Sequence, residues 1–461
     1  MKTTRTLFCL MAVVLSIAVP SVKAQFVCQR APMPVSINGS IGVGDVQQSG
    51  RISRDGLPSS CIGSFGELEN GMAVRRDTHN LINPFNETVC VRVEQDFSSC
   101  ANNQMMSVAY SLYNPAFPAL SVIGDPGFST VNRGSYSFSV GPNANFAIVV
   151  HEVEPNTGCP LYNLRVTYLR NCRQAGFDRT NDGRADPTLY RVSASSQWHT
   201  LDSATNQLVS RTFGTVGDIV TGGSDYTGDG QTDLSVYRPS SSTWYYGLDQ
   251  NSPGSSFQAT PWGATGDRAV PGDYDGDGLN DIAIWRPSDG TYYLLRSSDG
   301  TLMAFQWGMM NDIPVFGDFD GDTLTDFSVV RQTSDGSIWY LQKSNYSYGF
   351  NQAIFWGLPT DRLVPGDYDG DSITDLAVFR PTDGAFYVRR SSNLALQIVR
   401  WGVSGDTPQP ADYDGDKKMD FAVYRSSAQV WYILNSATST FTAIPLGLPG
   451  DIPVTAPYRI Q

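Results

Sequence analysis

Residues 271–281 read PGDYDGDGLND, with aspartates at 273, 275, 277 and 281 and a glycine at 278. Four like charges within nine residues repel one another unless water screens them or a cation sits among them. The stretch recurs as DRTNDGRAD from Asp178, DYTGDGQTD from Asp225, DFDGDTLTD from Asp318, DYDGDSITD from Asp367 and DYDGDKKMD from Asp412, at steps of 45 to 49 residues. Solvation alone would not keep such a period, so the acidic loop belongs to a repeated structural unit.

Other residues keep the same beat. Five positions after each final aspartate stands an arginine: Arg191, Arg238, Arg286, Arg331, Arg380 and Arg425. Six to eight residues later comes an aromatic: Trp198, Trp244, Tyr292, Trp339, Phe386 or Trp431. A residue followed by glycine comes next: Phe213, Trp262, Trp307, Trp356, Trp401 or Leu446. Four positions after that glycine is an aspartate: Asp218, Asp267, Asp312, Asp361, Asp406 or Asp451. Short runs such as DIAIWR, TYYLLR and TLMAFQW, separated by PSDG and SSDG, read as strands joined by tight turns. About four strands per unit, six units in tandem and no sustained helical period predict an all-β fold, a six-bladed β-propeller. The closing IPVTAPYRIQ lacks the acidic loop and is expected to add one strand to the first blade and so close the ring. A seven-bladed ring, with an atypical blade drawn partly from the residues before Asp178, is the alternative.

Side chains at positions 1, 3, 5 and 9 of each loop can converge when a glycine at position 6 turns the backbone sharply. Oxygen-only ligands in that pattern suit Ca²⁺, which takes 6–8 oxygens; Mg²⁺ demands a smaller octahedral shell. About six calcium sites follow. Their ligands are Asp178, Thr180, Asp182 and Asp186; Asp225, Thr227, Asp229 and Asp233; Asp273, Asp275, Asp277 and Asp281; Asp318, Asp320, Asp322 and Asp326; Asp367, Asp369, Asp371 and Asp375; and Asp412, Asp414, Asp416 and Asp420. Thr180 and Thr227 offer hydroxyls where the others offer carboxylates, so the first two sites are expected to bind less tightly. Thr323, Ser372 and Lys417 stand at position 6, where the turn favours glycine. Each site has a purely structural reading, in which the ion holds the loop and touches no ligand.

The loops hold 22 of the 45 acidic residues in a chain of net charge −13. The acidity is thus chiefly a metal requirement, and no basic face for nucleic acid is expected.

The six loops and the WGxxxD…P…GDYDGD frame resemble FG-GAP/VCBS-type repeats, the calcium-binding propeller repeats of integrin α-subunits and of many secreted bacterial proteins. The resemblance covers about residues 173–461. It implies an extracellular adhesion or ligand-binding role without naming a ligand.

Residues 25–172 carry alternating runs (TVCVRVEQDF, SYSFSVG, NFAIVVHEVE, YNLRVTYL) that read as a β-sandwich. SINGSIGVGDVQQSGRISRDG and GCPLYNLRVTYL resemble the PPC-like accessory domains of secreted bacterial proteins. Residues 1–24, with Lys2 and Arg5 before an apolar run ending in small residues, read as a secretory signal peptide. No later stretch is apolar enough to be a transmembrane helix. Six cysteines remain, Cys28, Cys61, Cys90, Cys100, Cys159 and Cys172, all before residue 173; in an exported chain they predict three disulfides of undetermined pairing. The protein is therefore expected outside the cell or at its surface, with the periplasm as the other exported destination.

The only histidines are His79, His151 and His199, none of them in a hydrolase or metalloprotease frame, and no enzyme activity is expected. His151, in AIVVHEVE, reads as a packed histidine. The partner is expected to be an extracellular protein or a glycan. A lectin and a polysaccharide-degrading hydrolase or lyase are the competing readings. The repeated tryptophans serve either as wedges between blades or as stacking platforms for sugars. The repeated arginines either tie blades through the WGxxxD aspartates or line a central channel.

Overall fold

A computed structural model describes residues 35–53, 59, 68–86, 88–100, 105–116, 121–126, 133–169, 176–344 and 351–455. The expected signal peptide 1–24 and Cys28, Cys61 and Cys172 lie outside these residues. Among the described residues every regular element is a strand, with no α-helix.

The N-terminal part has nine strands: β1 (Val35–Ile41), β2 (Gln47–Ser53), β3 (Leu68–Ile82), β4 (Val89–Asp96), β5 (Met105–Tyr110), β6 (Val122–Gly124), β7 (Arg133–Val140), β8 (Asn145–Glu152) and β9 (Cys159–Leu169). They form two sheets, ordered β1-β9-β4-β7 and β2-β3-β8-β5-β6. Strand alternation sends Val91 and Val93 of β4, Leu164 and Val166 of β9 and Ile148 and Val150 of β8 into one shared core. Val149 of β8 faces the other way, into a second cluster with Met106, Val108 and Tyr110 of β5. This two-sided burial explains why β8 reads as a nearly continuous apolar run. His151 is fully buried there, its Nδ1 2.9 Å from the Glu152 carbonyl oxygen. Cys100 and Cys159 form a disulfide with Cα atoms 4.7 Å apart, and Cys90 sits in β4.

The C-terminal part holds six four-stranded antiparallel sheets in a propeller-like series, each called a blade below. The third blade shows the plan. Its strands are Arg268–Ala269, Ile282–Arg286, Thr291–Leu295 and Leu302–Gln306, paired in chain order. The second strand is almost wholly buried and the fourth alternates exposed and half-buried residues, so burial falls from the inner strands to the outer edge. The first blade departs from the plan. Its Thr188–Arg191, Gln197–Leu201 and Leu208–Thr212 strands are joined by Ile452–Pro453 from the far end of the chain, with Tyr190 opposite Ile452.

An ion pair repeats at each crossover. Arg191, Arg238, Arg286, Arg331, Arg380 and Arg425 grip Asp451, Asp218, Asp267, Asp312, Asp361 and Asp406 with two hydrogen bonds each, at 2.7–2.9 Å. Each aspartate directly precedes the first strand of the arginine's own blade, so the pair fastens the crossover to the blade it enters, and the parallel-fork geometry suits guanidinium and carboxylate. The same aspartates accept the backbone N–H just past the blade-end glycine, at 2.7–2.9 Å, which fixes the turn into the next sheet. Arg191–Asp451 repeats this contact across the ring seam.

The aromatic series also sorts itself. Trp198, Trp244, Trp339 and Trp431 on third strands are fully buried. Trp262, Trp307 and Trp401 at blade ends donate their indole N–H to the Tyr293, Tyr340 and Tyr432 carbonyls of the following blade, at 3.0–3.2 Å. Both sets pack within or between blades.

Candidate metal centre

The second to sixth acidic loops run from the first to the second strand of a blade, the first loop leads into Thr188–Arg191, and each is shaped by its own backbone. The position-1 aspartate accepts N–H bonds from both sides of the turn: Asp367 takes Gly370 at 2.6 Å and Ser372 at 2.9 Å, and Asp412 takes Gly415 at 2.6 Å and Lys417 at 2.7 Å. The position-5 aspartate accepts the N–H two residues on, as Asp277 does from Leu279 at 2.9 Å. The position-9 aspartate reaches back to the N–H of position 2: Asp186, Asp233, Asp281, Asp326, Asp375 and Asp420 all make this bond at 2.7–2.9 Å. Position 6 has φ of +82° to +85° at Gly183, Gly230 and Gly278, and of +70° to +73° at Thr323, Ser372 and Lys417. Side-chain-bearing residues are thus held in the left-handed region by the rest of the loop.

Carboxylate oxygens converge within 4.8 Å of one another in four loops: Asp273, Asp275 and Asp281; Asp318, Asp320 and Asp326; Asp367, Asp369 and Asp371; Asp412, Asp414 and Asp420. Asp277, Asp322, Asp375 and Asp416 belong to the same loops but lie outside those tight groups. The first two loops form no such three-carboxylate group among the described residues. There Thr180 and Thr227 turn their hydroxyls toward Asp178 and Asp233, at 3.4 and 3.3 Å. The first loop also carries its own cation, since Arg184 donates to Asp182 at 2.7 and 3.1 Å, leaving Asp178 and Asp186 with Thr180 as its other oxygen donors. In the second loop Gln250 donates to Asp233 at 2.9 Å, and Asp225 and Asp229 supply the remaining carboxylates.

Burial and the neighbouring carboxylates push Asp281 up to about 7 and hold Asp273 and Asp326 well above the ordinary carboxylate range. Burial likewise lifts Asp412 and Asp233 to about 7, and Asp186, Asp225, Asp375 and Asp420 to about 6. Carboxylates this crowded and buried are neutralised by protons or by a cation. An all-oxygen donor set within one small sphere fits a hard divalent ion.

Two features had escaped the sequence reading. One is a serine just past each third strand except the second. Ser203, Ser297, Ser344, Ser391 and Ser436 give their N–H to the position-9 carboxylate at 2.6–2.7 Å and their Oγ–H to the position-5 carboxylate at 2.8–3.0 Å. A serine 16–18 residues after five of the six final aspartates was the available signal. The other is a ring of loop-to-loop bonds. The position-8 N–H of each loop donates to the position-1 carbonyl of the loop before it: Thr232 to Asp178, Asn280 to Asp225, Thr325 to Asp273, Thr374 to Asp318 and Met419 to Asp367, at 2.6–2.9 Å. Ala185 closes the ring onto Asp412 at 2.6 Å.

The sandwich meets this ring at two loops. Arg92 of β4, almost wholly buried, donates to Asp322 at 3.2 Å. Arg165 of β9 donates to Ser298 at 3.0 Å, and Ser298 itself bonds Asp275.

No protein-family model matches the chain, and no curated protein matches it. Solved structures match at low identity. A lectin from Agrocybe aegerita, described for specific recognition of non-reducing terminal N-acetylglucosamine, is 14% identical with a TM-score of 0.37, over 59% of this chain and 81% of its own. Virginiamycin B lyase from Staphylococcus aureus, in a catalytically inactive form with quinupristin, is 9% identical with a TM-score of 0.33, over 59% and 87%. An auxiliary nutrient binding protein from Bacteroides ovatus is 10% identical with a TM-score of 0.33, over 80% and 100%. Likeness at this level assigns no function to the chain.

Proposed function

We propose that this is an exported recognition protein whose six-bladed ring is held in shape by calcium, with partner binding on a surface built from several blades. The observation that carries the metal is the convergence of three buried or half-buried carboxylates in each of the third to sixth loops. There Ca²⁺ would be held by Asp273, Asp275 and Asp281, by Asp318, Asp320 and Asp326, by Asp367, Asp369 and Asp371, and by Asp412, Asp414 and Asp420. Its charge would replace the protons that burial otherwise forces onto these groups. The closed ring of loop-to-loop bonds supports a structural part for the ion, because ordering one loop positions the next. Export is supported by the leader-like first 24 residues and by the Cys100–Cys159 disulfide, which persists in oxidising compartments. No helix among the described residues is long and apolar enough to cross a membrane.

Two measurements test this. Titrating the chelator-treated protein with Ca²⁺ in a calorimeter should show at least four sites, with Mg²⁺ weaker; absence of binding to folded protein removes the metal from the reading. The labelled protein, with calcium, is then applied to immobilised extracellular proteins and to a glycan array. Retention of a protein partner supports adhesion, retention only by a glycan class makes it a lectin, and release of shortened glycans makes it an enzyme.

A further inference from the structure

The boundary between the first and second blades lacks an indole that later boundaries have. At the ends of the second, third and fifth blades, Trp262, Trp307 and Trp401 fill the space against the next blade's third-strand tyrosine and bond its carbonyl. At the end of the first blade the residue is Phe213, facing Tyr245 of the second. Phenylalanine is smaller than tryptophan and has no N–H to offer the Tyr245 carbonyl. At the ring seam, where Leu446 holds this place, Leu189 and Tyr424 pack beside it.

Beside Phe213 the structure contains an open cavity of about 240 Å³. Its walls are Phe213, Val236, Tyr245 and Phe257, and Ser195 and Thr212 stand at its rim. Phe257 is 46% exposed, which leaves part of its ring available. Arg238 also lines the space, but its guanidinium is held by Asp218 at 2.7 and 2.8 Å and lies 4.4 Å over the Tyr245 ring. A cation so paired offers little to an anion, which favours a neutral ligand. An enclosed apolar cavity of about 150 Å³ admits benzene in another protein, so this open cleft of about 240 Å³ has room for an aromatic ring that keeps one edge in solvent.

We infer that the cleft between the first and second blades is a binding site for a neutral indole ring, which packs beside the phenylalanine that stands where later blades carry tryptophan. Phe257 already touches Phe213 and Tyr245, with ring centroids 6.3 and 6.0 Å apart, so the ligand ring lies against the exposed side of Phe257 and the edges of the other two, with its N–H available to the Tyr245 carbonyl or the Thr212 hydroxyl. This inference is independent of the metal.

The test uses the full mature chain with calcium present. Free indole and N-acetyl-tryptophanamide are titrated by calorimetry, with saturation-transfer NMR to map the ligand face in contact. The variant Phe213→Trp fills the cleft with the residue other blades carry there, so it is expected to fold. It should weaken indole binding by at least about tenfold, the equivalent of 1.4 kcal/mol. Phe257→Ala, at an exposed edge, should weaken it by several-fold. Binding of free indole alone points to a small metabolite, and binding of both probes to a tryptophan side chain on a partner peptide. Absence of binding to folded protein at millimolar probe overturns the inference. So does binding that Phe213→Trp leaves unchanged, or a cleft that takes methyl glycosides while ignoring indole. Should Phe213→Trp fail to fold, Phe257→Ala decides alone, with unchanged affinity counting against the site.

Discussion

Thr323 occupies the turn position of the fourth loop at φ = +73°, where the first three loops have glycine at +82° to +85°. A Cβ built on Gly183 or Gly278 would meet nothing within 4 Å, so any cost of a side chain there comes from its own backbone. That cost is roughly 1–2 kcal/mol for an L-residue in the left-handed region, and β-branching places threonine among the worst cases. Glycine returns about 0.4–1 kcal/mol of this through the greater freedom of the unfolded chain. Thr323→Gly should therefore stabilise the fold by about 0.5–1 kcal/mol, since the bond from the residue-323 N–H to Asp318 at 2.8 Å survives the change. For domains of 150–250 residues, 1 kcal/mol moves the melting temperature by roughly 2–4 °C, so the expected rise is about 1–4 °C. Differential scanning calorimetry measures it, once with calcium and once with chelator. The reverse change, Gly278→Thr, should cost a comparable amount. A lower melting temperature for Thr323→Gly, or an unchanged one for Gly278→Thr, would show that the loop does not impose this backbone and would refute the reasoning.

Three further outcomes are expected. Asp451→Asn breaks the ring-seam pair with Arg191; a buried carboxylate facing a one-third-exposed guanidinium is expected to cost about 2–3 kcal/mol, below the range for fully buried pairs, and a loss under about 0.5 kcal/mol in urea unfolding would deny it a closing role. In the chelated protein the loop carboxylates have folded pKa values raised to about 6–7, so the folded state binds more protons than the unfolded one between about pH 4 and 7. Chelated protein should therefore lose stability as pH rises through that window, and calcium should abolish the loss; a flat profile without metal contradicts the crowding argument. Arg92→Met removes a buried bond between charged groups worth about 2 kcal/mol to sandwich docking, and small-angle scattering should show a larger radius of gyration, whereas an unchanged radius would mean that the two parts are held by other contacts.

Much of the molecule was legible from residues alone because repetition multiplies weak signals. One DxDxDG loop is ambiguous, but six in register demand a common structural unit, and the strands, the loop between first and second strands and the strand that joins the chain's ends follow from it. The aspartate and arginine series were visible as spacings, and the doubt over arginine ended only when each guanidinium was seen across from the aspartate at its blade crossover. Tryptophan was harder, since wedge and sugar platform use the same residue at the same period. Exposure separates them, and exposure depends on how neighbouring sheets pack.

Other features exist only in three dimensions. Sequence gives positions 5 and 9 equal standing as ligands, yet the fold groups Asp281 with Asp273 and Asp275 in the third loop and Asp371 with Asp367 and Asp369 in the fifth. The bond from Ala185 to Asp412 and the contact of Arg92 with Asp322 each join residues more than 200 positions apart. The cleft beside Phe213 is walled by residues of two blades, from Ser195 to Phe257, which only packing brings together. Local chemistry, meaning donors, turns and strand periods, is written along the chain because neighbouring residues realise it. Convergence, burial and empty space are set by residues far apart in sequence, and they appear only when the ring closes.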